Sequence, residues 1–282
     1  MQAVKDLLAS ILGQSGLRIF TNMNLGFTSL AFFIIYIGSL LYIINRGRKG
    51  LKIPKIRRIA GLDAIDEVVG RATEMGRPIA FVPGISGFTA GTFAGLGIMG
   101  HVAKLVAQFD ARLIVFNCEP NVFPVSQSVV RQAYTEAGKG DAYREEDVRF
   151  ITDSQFGFAS GVAGLLIRES IAGQVLFGSF YAESIIFAET GNTIGAIQVA
   201  GTDMVAQIPF FVSSCDYTLL GEEIFAANAY LTHDVVKTGT IVVQDWGKQF
   251  LFGLIALGII SATVASFTGA PSHFIRDLLQ LY

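Results

Sequence analysis

Twenty consecutive uncharged residues, Leu25–Ile44 (LGFTSLAFFIIYIGSLLYII), constrain this chain more than any other feature. As a helix rising 1.5 Å per residue they run roughly 30 Å, the thickness of a bilayer's hydrocarbon core. A core helix apolar on every face is the competing reading, and the flank decides between them. Arg46, Arg48, Lys49, Lys52, Lys55, Arg57 and Arg58 follow in a stretch without a single acidic residue. Such charge belongs on the cytoplasmic side of a span, where it meets anionic lipid headgroups. The first residues lack the basic region of a cleaved leader. The span therefore reads as a permanent anchor with the N-terminus outside.

A second uncharged run, Phe250–Phe267 (FLFGLIALGIISATVASF), is preceded by Lys248 and followed by Gly269-Ala270-Pro271. Both runs carry their basic neighbours on the side of the central segment. The expected organisation is an external amphipathic segment at 1–24, a transmembrane helix at 25–45 and a basic linker at 46–58. A cytoplasmic domain at 59–247, a second transmembrane helix at 248–270 and an external amphipathic tail at 271–282 complete it. A mean hydropathy of +0.51 with 16% charged residues suits this mixture of lipid and water. Neither span carries a charged residue, which argues against a pore or transporter. A net charge of −2 gives no reason to expect nucleic acid as a partner.

From about Ile59 the pattern alternates helical periodicity with short apolar runs. Leu62, Ile65, Val68, Val69 and Ala72 share one helix face, and Gly76 closes that helix. Strand-like runs follow at 78–82, 112–117, 148–151, 174–177, 194–199 and 210–213, with one more at 241–243, and helices between them. One of those helices is expected at 218–231. Helices alternating with buried-type strands specify an α/β fold with a mostly parallel, Rossmann-like sheet covered on both faces. The segments 115–134 and 211–230 look like duplicates: each reads as strand, Cys-acidic, turn, then a helix ending Ala-Tyr.

Three places are candidates for chemistry. The first is the turn after Val82, where Gly84, Ser86 and Gly87 precede a helix and can present backbone N–H groups to an anion. The spacing is neither a dinucleotide fingerprint nor a Walker loop. Gly87, Gly91 and Gly95 recur every four residues, and packing against a neighbouring helix or subunit is the favoured reading of that stripe. The second is a pair of supposed strand ends, Asn117-Cys118-Glu119 and Ser214-Cys215-Asp216, facing a shared cleft. A carboxylate beside a thiol raises its pKa, so neither cysteine reads as a nucleophile. Their separation also gives no sign of a disulfide, and the chain lacks a metal-type cluster. The third comprises Ser179, Tyr181, Glu183, Glu189, Thr202 and Asp203, hydroxyls and carboxylates in apolar surroundings. No enzyme signature such as Gly-x-Ser-x-Gly, His-Glu-x-x-His or Cys-x-x-Cys is present. Neither a cofactor nor a metal is expected.

The central segment is rich in Gly, Ala, Phe and Ile, more apolar surface than a monomer of this size hides. Part of it is expected to pack against other copies or other membrane subunits, and a ring is the natural closed form. The segments GLDAIDEVVGRATEMGRP (61–78), VAGTDMVAQIPFF (199–211) and GEEIFAANAYL (221–231) resemble an uncharacterised family of prokaryotic two-span membrane proteins with a central α/β domain of unknown function. The resemblance covers that domain and both flanking spans. It implies prokaryotic origin and an inner-membrane address, and it transfers no activity. The expected role is a non-catalytic, self-assembling scaffold or accessory subunit. The alternative is a protein binding a nucleotide-like or acyl ligand at the Gly84–Gly87 and Cys118/Cys215 cleft.

Overall fold

The computed structural model describes residues 27–51, 54 and 59–268. The amphipathic segments expected at 1–24 and 271–282, and much of the basic linker, lie outside the described residues. In chain order the elements are α1 (Phe27–Arg48), α2 (Ala60–Met75), β1 (Ile79–Gly84), α3 (Ala90–Gln108), β2 (Leu113–Asn117) and α4 (Val122–Glu136). Then come β3 (Val148–Phe150), α5 (Gln155–Arg168), β4 (Gly173–Ser179), α6 (Glu183–Thr193) and β5 (Ile197–Thr202). The last are α7 (Ile208–Ser214), β6 (Tyr217–Leu220), α8 (Glu223–Thr232) and α9 (Val235–Thr268). The chain forms two compact units, 1–54 with 239–282, and 55–238.

The α/β unit is built on a six-stranded sheet in the order β3-β2-β1-β4-β5-β6, every adjacent pair parallel. This is the Rossmann-like arrangement the alternating pattern specifies. Period-two alternation divides the strand residues between two cores. Ile79, Phe81, Val115, Val175 and Val199 face α2, α3, α4 and α8. Ala80, Val82, Ile114, Phe116, Leu176 and Ala200 face α5, α6 and α7. Because both faces are covered, the strands read as continuous apolar runs. The connections within β1-β2-β3 put α3 and α4 on one face, and those within β4-β5-β6 put α6 and α7 on the other, where α5 joins them over β1 and β2. Helices α2 and α8 cover the remaining face of β4, β5 and β6.

At the centre of the sheet backbones approach closely. Gly84 (φ +89°) and Gly178 (φ +153°) adopt conformations that L side chains avoid. A Cβ on Gly178 would collide with the Pro83 carbonyl, and one on Gly84 with Ser179 backbone atoms. The β1–β4 register shifts between Val82 and Gly84, and the Ile85 amide donates to the Ser179 carbonyl at 3.1 Å beyond it. Gly95 lays α3 on the Phe177 carbonyl, where a Cβ would clash. Gly91 meets Ser179 and Asp203 side chains. Gly91 and Gly95 pack on the sheet and its loops, whereas a Cβ on Gly87 would meet only Glu119 Oε2 at 4.0 Å. The expectation of a neighbouring helix or subunit is corrected for Gly91 and Gly95.

Three local expectations fail after Thr202. Residues 210–213 are helical (α7), β6 at 217–220 overlaps the start of the expected helix 218–231, and 241–243 lie inside α9. The internal duplication falls with them. Cys118-Glu119 follow a strand, whereas Cys215-Asp216 precede one. Short apolar runs carry no clear period, so helix and strand are separated there by tertiary packing alone.

The first unit contains α1 and α9 from Gly239 onward, packed antiparallel. Gly239 approaches Ile43 and Ile44, Gly247 approaches Tyr36, and the rings of Phe32 and Phe250 stand 5.6 Å apart. Helix α9 begins at Val235, well before the start expected near 248. Its early turns bury Val242 and Val243. In this register the first turns of the uncharged run that follows Gln249 lie level with 27–33. The segment 37–44 of α1 lies level with turns of α9 that hold Asp245.

A paired substitution tests the central approach. Gly95→Ala should lower the unfolding free energy by about 1–3 kcal/mol, the usual cost of overpacking a rigid contact. Gly70→Ala, in the interior of α2 with nothing within 4 Å of its added methyl, should raise it by up to about 1 kcal/mol. Thermal and urea unfolding of the two variants read both signs.

Candidate functional site

The sheet order changes direction between β1 and β4, so the crevice beyond their C-terminal ends is the candidate site. Its floor is the loop from Ile85 to Thr89 and the first turn of α3. Thr89 caps that helix, its Oγ accepting from the Thr92 amide at 3.1 Å. Thr92, fully buried, contacts Thr89 Oγ at 2.9 Å and donates to the Gly87 carbonyl at 2.8 Å. From β4, Ser179 reaches Thr89 Oγ at 2.8 Å and donates to Asp203 Oδ1, at the end of β5, at 2.8 Å. The Asp203 carboxylate thus packs against Gly91 in the first turn of α3.

A helix N-terminus carries partial positive charge and unsatisfied N–H groups, and in dinucleotide-binding sheets it receives the pyrophosphate. Here the chain's own carboxylate stands on that turn. Two more carboxylates stand nearby, one at the border of the crevice and one fully buried. Glu119 Oε2 lies 4.0 Å from where a Gly87 side chain would begin. Glu183, fully buried at the start of α6, accepts from Gln155 Nε2 and from the Tyr181 amide, both at 2.7 Å. None of the three is paired with a lysine or arginine among the described residues. Ser86 Oγ is buried here without a hydrogen-bond partner among them. The arrangement is a polar crevice with the carboxylates of Asp203 and Glu119 near the start of α3.

The remaining sequence candidates fall in two places. Asn117 is buried at the end of β2, where its Oδ1 accepts from Ser126 at 2.7 Å. Cys118 is buried beside it in the α5–α7 core. Ser214, Cys215 and Asp216 stand at the opposite edge of the sheet, where β6 begins. They bracket Gln198: Asp216 Oδ2 accepts from its amide at 2.8 Å and the Ser214 carbonyl from its side chain at 3.2 Å. Ser214 also donates to Glu189 at 2.7 Å. In a parallel sheet the end of β2 and the start of β6 cannot share a cleft. The Cys118/Cys215 cleft is therefore corrected: Gly84, Ser86, Gly87 and Glu119 border the crevice, and the Ser214–Asp216 bracket does not. Sequence reasoning missed Thr89, Thr92 and Gln155. The Thr89-x-x-Thr92 spacing before an apolar helix was a legible capping signal.

Around this crevice the rim is apolar and exposed. Phe88 and Phe93 stack at 5.5 Å and 14°, and Phe156, Tyr181 and Val205 follow on the neighbouring loops and helix starts. Val205, 76% exposed, has the least covered of these side chains.

A model of the family described as a domain of unknown function (DUF6754) matches residues 18–273. No curated protein and no solved structure matches the chain.

Burial and the neighbouring Glu119 push the Cys118 thiol up to about 11, and burial with Asp216 pushes Cys215 up to about 12. A raised pKa depletes the thiolate at neutral pH. Both cysteines should therefore resist iodoacetamide at pH 7.5 in the folded protein and react fully in denaturant. Mass spectrometry of the alkylated chain checks this, and rapid alkylation of either thiol under native conditions would contradict the assignment.

Proposed function

The chain belongs to the DUF6754 family, a family of unknown function, and on that footing we propose a membrane-anchored, self-assembling scaffold or accessory subunit. In this reading residues 46–248 lie on the cytoplasmic side of a prokaryotic inner membrane, with both termini outside. The observation that carries this reading is the uncovered apolar surface of the first unit. Phe33, Ile35, Phe252 and Phe267 are 60, 67, 69 and 88% exposed. The most apolar 18-residue stretch within 235–264 has a mean hydropathy of 1.6. The corresponding stretch of helix α3 reaches 1.3, but its apolar side chains are spent in the core of the α/β unit. For α1 and α9, hydrocarbon is the natural cover.

Trp246 and the Asp245–Lys248 pair (3.7 Å) mark the headgroup level at the start of the second span. The exposed aromatic rim around the crevice of the α/β unit supplies a surface for other copies. Chains that share one orientation in a plane close most simply into a ring.

The nucleotide-like alternative is the weaker reading, because Asp203 stands on the turn a phosphate would use. Extraction in mild detergent should yield particles larger than a dimer by light scattering. Phe156→Ser with Val205→Ser should shrink them without lowering the melting temperature; a monomeric parent chain would end the scaffold reading. Orientation is read separately. In intact cells an impermeant maleimide should label Ser272→Cys and spare Asp141→Cys until lysis, and the reverse pattern would invert the topology.

A further inference from the structure

Between α3, α4 and the α8–α9 junction lies a groove of about 600 Å³, on the face of the sheet away from α5, α6 and α7. That volume falls in the range of roughly 300–1,000 Å³ typical of small-ligand sites. Leu96, Val125, Val129 and Leu231 give it apolar walls. Glycine at positions 97 and 100 keeps that side of α3 low. A Cβ on Gly100 would stand 3.3 Å from Val129, and one on Gly97 would strike Asn228.

The polar groups of the lining are mostly cationic or imidazole. His101 and Lys104 lie one turn apart on α3, with His233 and Lys237 across from them. His233 holds a left-handed backbone (φ +50°), rare for a residue other than glycine, and turns the chain from α8 into α9. Glu136 is the sole carboxylate of the lining, 3.7 Å from Lys104. The Lys237 ammonium donates to the neutral Asn228 Oδ1 at 3.1 Å, and its charge has no counterion among the described residues. Burial holds the pKa of His101 below its usual value, with Lys104 and His233 adding to the effect and Asp66 opposing it. A neutral imidazole keeps one N–H to donate.

We propose that this groove binds a single-chain amphiphilic anion, its alkyl chain on the apolar walls and its carboxylate or phosphate head among Lys104, Lys237 and the two imidazoles. A sugar or nucleoside would leave its hydroxyls unpaired against those walls, and a cationic amphiphile would meet like charge. The head belongs either to a free long-chain carboxylate or to a phosphate-bearing lipid. The site does not depend on self-assembly, so a chain that proves monomeric leaves it standing.

The test uses the full chain in phosphatidylcholine nanodiscs, photolysed with hexadecanoate carrying a terminal diazirine and mapped by peptide mass spectrometry. Label should enter peptides from 90–108 and 122–136. Hexadecanoate or hexadecyl phosphate should displace it at concentrations about tenfold or more below hexadecanol, and the better of the two identifies the source of the head. Lys104→Gln with Lys237→Gln should weaken that displacement about tenfold. Glu136→Gln should strengthen it roughly threefold, a gain that a purely structural role would not produce. Should the double variant fail to fold, the Glu136→Gln gain decides alone. Label confined to α1 and to α9 beyond Lys248, equal displacement by hexadecanol, or no response to Glu136→Gln would overturn the proposal.

Discussion

The α/β unit depends on how closely two central strands and one helix can bring their backbones together. Where β1 and β4 end, Gly84 and Gly178 let carbonyl and amide groups approach at distances any side chain would forbid. Gly95 lets α3 settle directly on β4. Parallel strands buried on both faces have no solvent to relieve a misfit, so a methyl group at these positions has nowhere to go. The two cores that flank the sheet form only because this spacing holds.

The same close approach shapes the crevice above it. Bringing α3 down onto β4 carries its first turn against Ser179 and Asp203, and the hydroxyls of Thr89 and Ser179 complete a hydrogen-bonded chain to the carboxylate. A helix terminus that elsewhere attracts phosphate is thereby supplied with a built-in anion. The Rossmann-like sheet is retained, with a carboxylate standing against the helix start where dinucleotide sites present positive charge.

Much of the sheet was legible. The alternation of helical periodicity with apolar runs locates β1 to β5 to within a few residues, and Gly76 ends α2 as read. The misreadings cluster after Thr202. There FFVSS and YTLL are both short and apolar, and only their neighbours make the first a helix and the second an edge strand. Cys118 and Cys215 looked equivalent because the local strings match, yet their places relative to a strand are opposite. Of the crevice, Ser179, Glu183 and Asp203 stood out as polar groups in apolar company. Thr89 and Gln155 act through contacts with residues 90 and 28 positions away, which no local pattern carries.

By itself the sequence determined the class of the fold, the two uncharged runs with their basic flank, and the poor prospects of the cysteines as nucleophiles. These follow from periodicity, length and charge, properties a linear string holds completely. Only the tertiary structure decided that the glycine stripe meets the sheet, that Asp203 covers the first turn of α3, and that α1 and α9 pair in an offset register. It also gathered His101, Lys104, His233 and Lys237 on one groove. Each of these is set by which backbones approach one another in space, and side-chain volume at distant positions, not local pattern, fixes that distance.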